Sequence, residues 1–174
     1  GQPLVVSGAS RTDAGVHAIG QVAQFDAMCR VPQERLVDAI RSRLPPDLDV
    51  LEATPAPPGF DVRRNVLSKQ YRYRIHSASQ RPLALRGITY HCWHPLDVGR
   101  MNAAAVRLIG RYDFAGLAAA NHGRLSTVRT VHHCCVERHG EQVHIVVQGD
   151  GFLYNMVRIL SGTLVEVGRG ALPV

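Results

Sequence analysis

The chain has 174 residues, of which 45% are hydrophobic and 20% charged, a balance that specifies one packed domain or two small ones and excludes a disordered tail. Twenty Lys and Arg against fourteen Asp and Glu leave a formal charge of +6, which points to a polyanionic partner. No apolar run approaches the ~20 residues of a membrane span, and Gly1-Gln2-Pro3-Leu4-Val5-Val6 lacks the basic-then-apolar pattern of a signal peptide.

In chain order, Leu4-Val5-Val6 reads as a short buried strand leading into the small residues Ser7-Gly8-Ala9-Ser10. Gln21 to Asp26 alternates apolar and polar, the pattern of a half-buried strand. Pro32 suits a first helical position, with Leu36, Val37, Ile40 and Leu44 on one face, and Pro45-Pro46 stops that helix. A Pro-rich connector from Thr54 to Gly59 leads to Phe60 and Arg63. Lys69 to Ile75 then alternates strictly, with Tyr71, Tyr73 and Ile75 on one face and Arg72 and Arg74 on the other. That strand fits a nucleic-acid platform, and equally an ordinary half-exposed strand with solvated arginines.

Asp97 caps a predicted helix with Met101, Ala104, Ala105, Leu108 and Ile109 on one face, ending near Gly110. Thr127–Arg138 and Gln142–Gln148 read as a hairpin turning at His139-Gly140, and Phe152, Met156, Ile159, Leu160, Thr163, Leu164 and Val167 as one long amphipathic helix. The chain thus reads as two related α/β units sharing a sheet, residues 1–62 and 63–174.

Lys69 is the only lysine. Arginine suits bidentate phosphate contacts and base stacking, although a compositional bias would give the same ratio. The four cysteines, Cys29, Cys92, Cys134 and Cys135, suggest no disulfide framework, and a reducing compartment is expected. His91-Cys92-Trp93-His94 and His132-His133-Cys134-Cys135 lack metal-ligand spacing, and a strand would split such neighbours between its two faces. No metal is expected.

The densest chemistry lies in Gly8-Ala9-Ser10-Arg11-Thr12-Asp13-Ala14-Gly15-Val16-His17-Ala18. An aspartate presented by a loop of small residues can serve as nucleophile, base or metal ligand, or simply cap the next segment. No second carboxylate is near in sequence, and the loop carries neither GKS/T nor GxGxxG. His17 reads as structural.

Arg11-Thr12-Asp13-Ala14-Gly15-Val16-His17-Ala18 resembles the signature of the tRNA pseudouridine synthase A family. The resemblance continues in order through Gly20-Gln21-Val22 with Phe25, Phe60 with Arg63, Lys69 with Tyr71-Arg72-Tyr73, Tyr112-Asp113-Phe114, Val128-Arg129-Thr130 and Gly151-Phe152-Leu153-Tyr154-Asn155-Met156-Val157-Arg158. It implies an α/β (α+β) pseudouridine synthase fold: two related halves sharing a mostly antiparallel central sheet, with helices on one side and an active-site cleft. It further implies a cytoplasmic homodimer that isomerises uridine in the 38–40 region of the tRNA anticodon stem-loop, without cofactor or metal. Asp13 matches the catalytic aspartate and Arg11 the residue that helps hold the base out of its stack. Tyr71 matches the tyrosine packed on the target base, Arg158 the basic partner of the aspartate, and Phe60 and Arg63 secondary substrate contacts. Asp61 stands where the family commonly has histidine. The family's N-terminal strand region and closing C-terminal segment are not represented, so a fragment is expected, and an RNA-binding piece without catalysis is the alternative.

Overall fold

The computed structural model describes residues 4–28, 30–119 and 126–174; Cys29 lies outside them. The chain divides into two compact units, one holding Ala18–Asn65 with the residues up to Thr12, the other Val66–Val174 with Asp13–His17. The loop segment carrying Asp13 thus groups with the C-terminal unit, whereas chain order alone places it in the N-terminal half.

In the first unit, β1 (Ser7–Gly8) pairs antiparallel with β2 (Ala23–Gln24). Leu4, Val5 and Val6 are not the expected buried strand: they lie outside any strand and stay exposed. An apolar run becomes a strand only where a partner supplies backbone hydrogen bonds, and the ladder here begins at Ser7. The Gln21–Asp26 strand likewise narrows to Ala23–Gln24, the residues opposite Gly8 and Ser7. Pro32 precedes a 3₁₀ turn at Gln33–Arg35, and α1 (Leu36–Arg41) follows. Non-helical turns carry the chain to Pro45, and the Arg41 guanidinium meets the Asp49 carboxylate at 2.7 Å.

The second unit is built on a five-stranded sheet in the order β4-β3-β7-β6-β5. Its strands are β3 (Lys69–Ser77), β4 (Tyr90–Cys92), β5 (Gly110–Asp113), β6 (Val128–His139) and β7 (Gln142–Gly149). Only β3 with β4 is parallel; every other pairing is antiparallel. The fold is therefore mixed α/β on a mostly antiparallel sheet, as expected. Among the described residues all five of these strands belong to this unit, and β1 and β2 of the first unit form a separate two-stranded ladder.

Register decides the core. Tyr71, Tyr73 and Ile75 of β3 lie opposite Val147, Ile145 and Val143 of β7, which places all six side chains on one face. The helices α2 (Val98–Val106) and α3 (Met156–Gly168) contribute Met101, Ala105, Leu160 and Leu164 to the same buried cluster. Asp97 caps α2 by accepting the Arg100 N–H at 3.0 Å, as its position predicts. Gly168 lets α2 and α3 close up, because a Cβ there would lie 2.7 Å from the Met101 side chain. The Asn102 side chain on α2 donates to the Val136 carbonyl and accepts from its N–H, both at 2.8 Å. β5 pairs only with Val128–Val131, so Asn102 supplies the backbone partners that a neighbouring strand would otherwise give.

A register shift between Val131 and His133 settles the double Cys. Val131, Cys134 and Val136 all face the core, while Cys135 is partly exposed on the other face. Burial pushes the Cys134 thiol up to about 11, the behaviour of an inert core thiol. The expected long C-terminal helix also shortens. Asn155 adopts φ 59°, a left-handed conformation, so Phe152 belongs to the corner before α3 and not to the helix. No helix among the described residues is long and apolar enough to cross a membrane.

Candidate active site

Asp13 opens a tight turn. The Val16 N–H donates to the Asp13 carbonyl at 3.0 Å, and Gly15 takes φ 77°, which glycine enters without the Cβ clash of other residues. The Asp13 carboxylate faces Arg158, with Oδ2 and Nε 4.0 Å apart. This is an ionic contact beyond hydrogen-bond length.

An arginine on a largely apolar helix implies a buried partner. Instead the Arg158 and Asp13 side chains are 50% and 45% exposed. The helix period explains this: Met156 and Leu160 take the core side at 0% exposure, and Arg158, midway between them, must point outward. As the third residue of α3, Arg158 also opposes the partial positive charge of a helix N-terminus. Helix stability therefore does not account for an arginine here, and the Asp13 carboxylate offsets the repulsion.

Tyr71 and Tyr73 are half-buried on the core-side face of β3. The Tyr71 ring meets the Phe152 ring edge to face, with centroids 5.2 Å apart and planes at 89°. Tyr73 lies 6.5 Å from the Tyr90 ring. Burial pushes the Tyr73 hydroxyl up, and the nearby Arg158 charge acts in the opposite direction. The second unit therefore gathers Asp13, Arg158 and Tyr73 in one electrostatic neighbourhood. Tyr73 is legible in the sequence as the neighbour of Tyr71 on the alternating strand, yet alternation alone assigns it no role, and Phe152 is hidden by the helical period that runs through it.

Arg11, Phe60 and Arg63 belong to the first unit. Gln21 donates to the Ser10 carbonyl at 2.8 Å, and the Ala9 N–H donates to the Val22 carbonyl at 2.9 Å; together they tie down the segment that carries exposed Arg11. Gln24 donates to the Phe60 carbonyl at 3.0 Å and accepts the Val62 N–H at 2.9 Å, which fixes Phe60 in a half-buried position. The Asp61 carboxylate accepts the N–H groups of Arg63 and Arg64. These bonds, with the two arginine charges adding to them, hold Asp61 below the usual carboxylate range. Asp61 thus shapes the turn that presents exposed Arg63. His17 is exposed. No group of three or more His, Cys, Asp or Glu among the described residues could hold a metal ion.

Residues 104–174 match a family model described as tRNA pseudouridine synthase. The tRNA pseudouridine synthase A of Geotalea uraniireducens is 42% identical over 170 residues, covering 98% of this chain and 70% of that protein. The chain belongs to the tRNA pseudouridine synthase A family. The family protein from Limosilactobacillus fermentum is 42% identical over 174 residues, 99% of this chain and 67% of its own length. That from Halalkalibacterium halodurans is 42% identical over 170 residues, 98% of this chain and 65% of its own. The chain therefore spans about two thirds of the length of these family members. The family-model match includes Phe152 and Arg158.

Proposed function

We propose that this chain carries the isomerase site of a tRNA-uridine to pseudouridine enzyme acting in the anticodon stem-loop, at the 38–40 region, as a cytoplasmic homodimer. The observation that carries the reading is the approach of Asp13 to Arg158, residues remote in sequence, beside a strand face of half-buried tyrosines. The reaction breaks the N1–C1′ bond, turns the uracil and joins C5 to C1′; the C5 proton leaves and N1 gains one. Nothing is oxidised or hydrolysed, so the chemistry itself requires no cofactor.

Asp13 opens the reaction, either by attacking C1′ or by taking the proton that leads to a glycal. Arg158 pairs with Asp13 and orients it. Arg11 compensates the base for the stacking it loses on leaving the helix, a cost of a few kcal/mol. Tyr71 packs on the turned base near C5, and Phe60 and Arg63 contact the RNA outside it. The charge of +6 supplies the general attraction to phosphate.

The test is tritium release from tRNA carrying 5-tritiated uridine, with this chain beside its Asp13→Ala variant. Release by the parent alone supports the isomerase. tRNA retention without release, unaffected by Asp13→Ala, replaces it with RNA binding alone. Arg11→Ala is expected to weaken both affinity and rate, because base capture precedes chemistry.

A further inference from the structure

We infer that Phe152 is a positioning residue that sets the ring plane of Tyr71; its importance for the target base rests on the proposed isomerase function. A tyrosine ring is poorly constrained by its own rotamer, since the torsion about Cβ–Cγ is broad. A half-buried ring such as Tyr71 therefore takes its plane from its neighbours. The Phe152 ring stands at 89° to it with centroids 5.2 Å apart, an arrangement in which the positive edge of one ring meets the negative face of the other.

The corner that carries Phe152 is built to be rigid. The Asp150 N–H donates to the Thr130 carbonyl at 3.0 Å, and the Thr130 N–H donates to the Asp150 carboxylate, also at 3.0 Å, which clasps the end of β7 to β6. Leu153 is anchored in the core at 4% exposure. The Ala119 N–H donates to the Tyr154 carbonyl at 3.1 Å, and Asn155 turns the chain into α3 through its left-handed conformation. Gly149 completes the seat. A Cβ there would lie 2.7 Å from the Thr130 carbonyl oxygen, so only a glycine leaves the strand beside the Phe152 ring where it is. Phe152 is itself only partly buried. Simple core filling would be served by any apolar side chain of similar volume, whereas setting a ring plane needs a flat neighbour.

The experiment uses the full chain with Phe152→Leu and, as a second variant of closer volume, Phe152→Met. Each is made in the parent and in a Tyr71→Leu background, which removes the ring. In the parent we expect kcat for tritium release to fall about tenfold to 100-fold, the cost of a slightly misplaced reacting group, with KM within about threefold. In the Tyr71→Leu background the same changes are expected to cost less than about twofold, because the ring that Phe152 aligns is gone. A kcat within twofold of the parent for both variants, or equal losses in both backgrounds, overturns the inference.

A readout independent of turnover is the flip rate of the Tyr71 ring. It is followed by NMR on chain labelled in its tyrosine rings, with Tyr71 assigned from Tyr71→Phe. Faster flipping in Phe152→Leu and Phe152→Met supports the inference, and an unchanged rate overturns it. A parent that releases no tritium from tRNA sinks the proposed isomerase function, while the flip rates still decide whether Phe152 holds the ring.

Discussion

In the unit of Val66–Val174, Ile75, Met101, Val143, Ile145, Met156 and Leu160 are fully shielded, whereas Val62 is the single buried side chain among the described residues up to Asn65. In that first unit Ile19 and Met28 stand open at 92% and 104% exposure. Hydrophobic content does not separate the two regions; layering does. The second unit has two helices over a five-stranded sheet, so each apolar face finds another. The first has two strands of two residues and a six-residue helix with no buried residue, well short of the ~12–15 residues at which isolated helices become even marginal. The candidate chemistry follows the same division: Asp13 and Arg158 are held by the layered unit, while Arg11, Phe60 and Arg63 are held by local hydrogen bonds.

The largest effect is expected at the site. Asp13→Asn keeps shape and removes the charge, and should lower tritium release by at least about 1,000-fold, as loss of an essential group does. tRNA affinity, measured by filter binding, should stay near that of the parent. A variant with normal turnover would remove Asp13 from the mechanism.

The contrast in packing is tested by truncation. Ile145→Ala in the layered unit should cost about 2–5 kcal/mol in urea unfolding, the sum of lost transfer energy and a cavity. Ile19→Ala should change stability by less than about 0.5 kcal/mol, as exposed positions do. Similar losses at the two positions would dissolve the distinction between the units.

Gly149→Ala sharpens it further. Its Cβ would meet the Thr130 carbonyl oxygen, a backbone atom that has no rotamer to move, and overpacking of this kind costs about 1–3 kcal/mol. The same urea titration reads it.

The smallest effect is a pH dependence on the outer face of the sheet. Burial, then the charges of His139, Arg72 and Arg74, push the His144 imidazole below its ordinary 6.5, and Glu137 acts in the opposite direction. The unfolded chain therefore takes up this proton first. The contribution is intact above about pH 6.5 and is lost as pH falls below it. His144→Gln should flatten the fall of the thermal midpoint between about pH 6.5 and 5; an unchanged slope would assign that fall to other groups.

Much of the second unit is legible in the amino-acid sequence. The alternation of Tyr71, Tyr73 and Ile75, the hairpin around Gly140 and the helix after Asp97 are local patterns, and each forms, although the helix ends at Val106 and leaves Leu108 and Ile109 outside it. β4 and β5 are not legible, because three or four residues carry no period of their own and become strands only by pairing with β3 and β6. Leu4-Val5-Val6 shows the converse, an apolar run without a ladder. In the site, Asp13, Arg158 and Tyr71 stand out through their motifs, but Phe152 does not: helical periodicity runs through it, and only the left-handed Asn155 shows where α3 begins.

The sequence by itself determined the basic charge, the period of each long element and the order of motifs that resemble one family, since all of these are properties of composition and of near neighbours. Only the tertiary structure decided that Cys134 faces the core while Cys135 does not, that Asn102 closes the open edge of β6, that the Asp13 loop joins the C-terminal unit and that Arg158 reaches it half exposed. Each of those depends on register and packing between segments far apart in the chain, and local pattern carries no record of which distant partner a residue will meet.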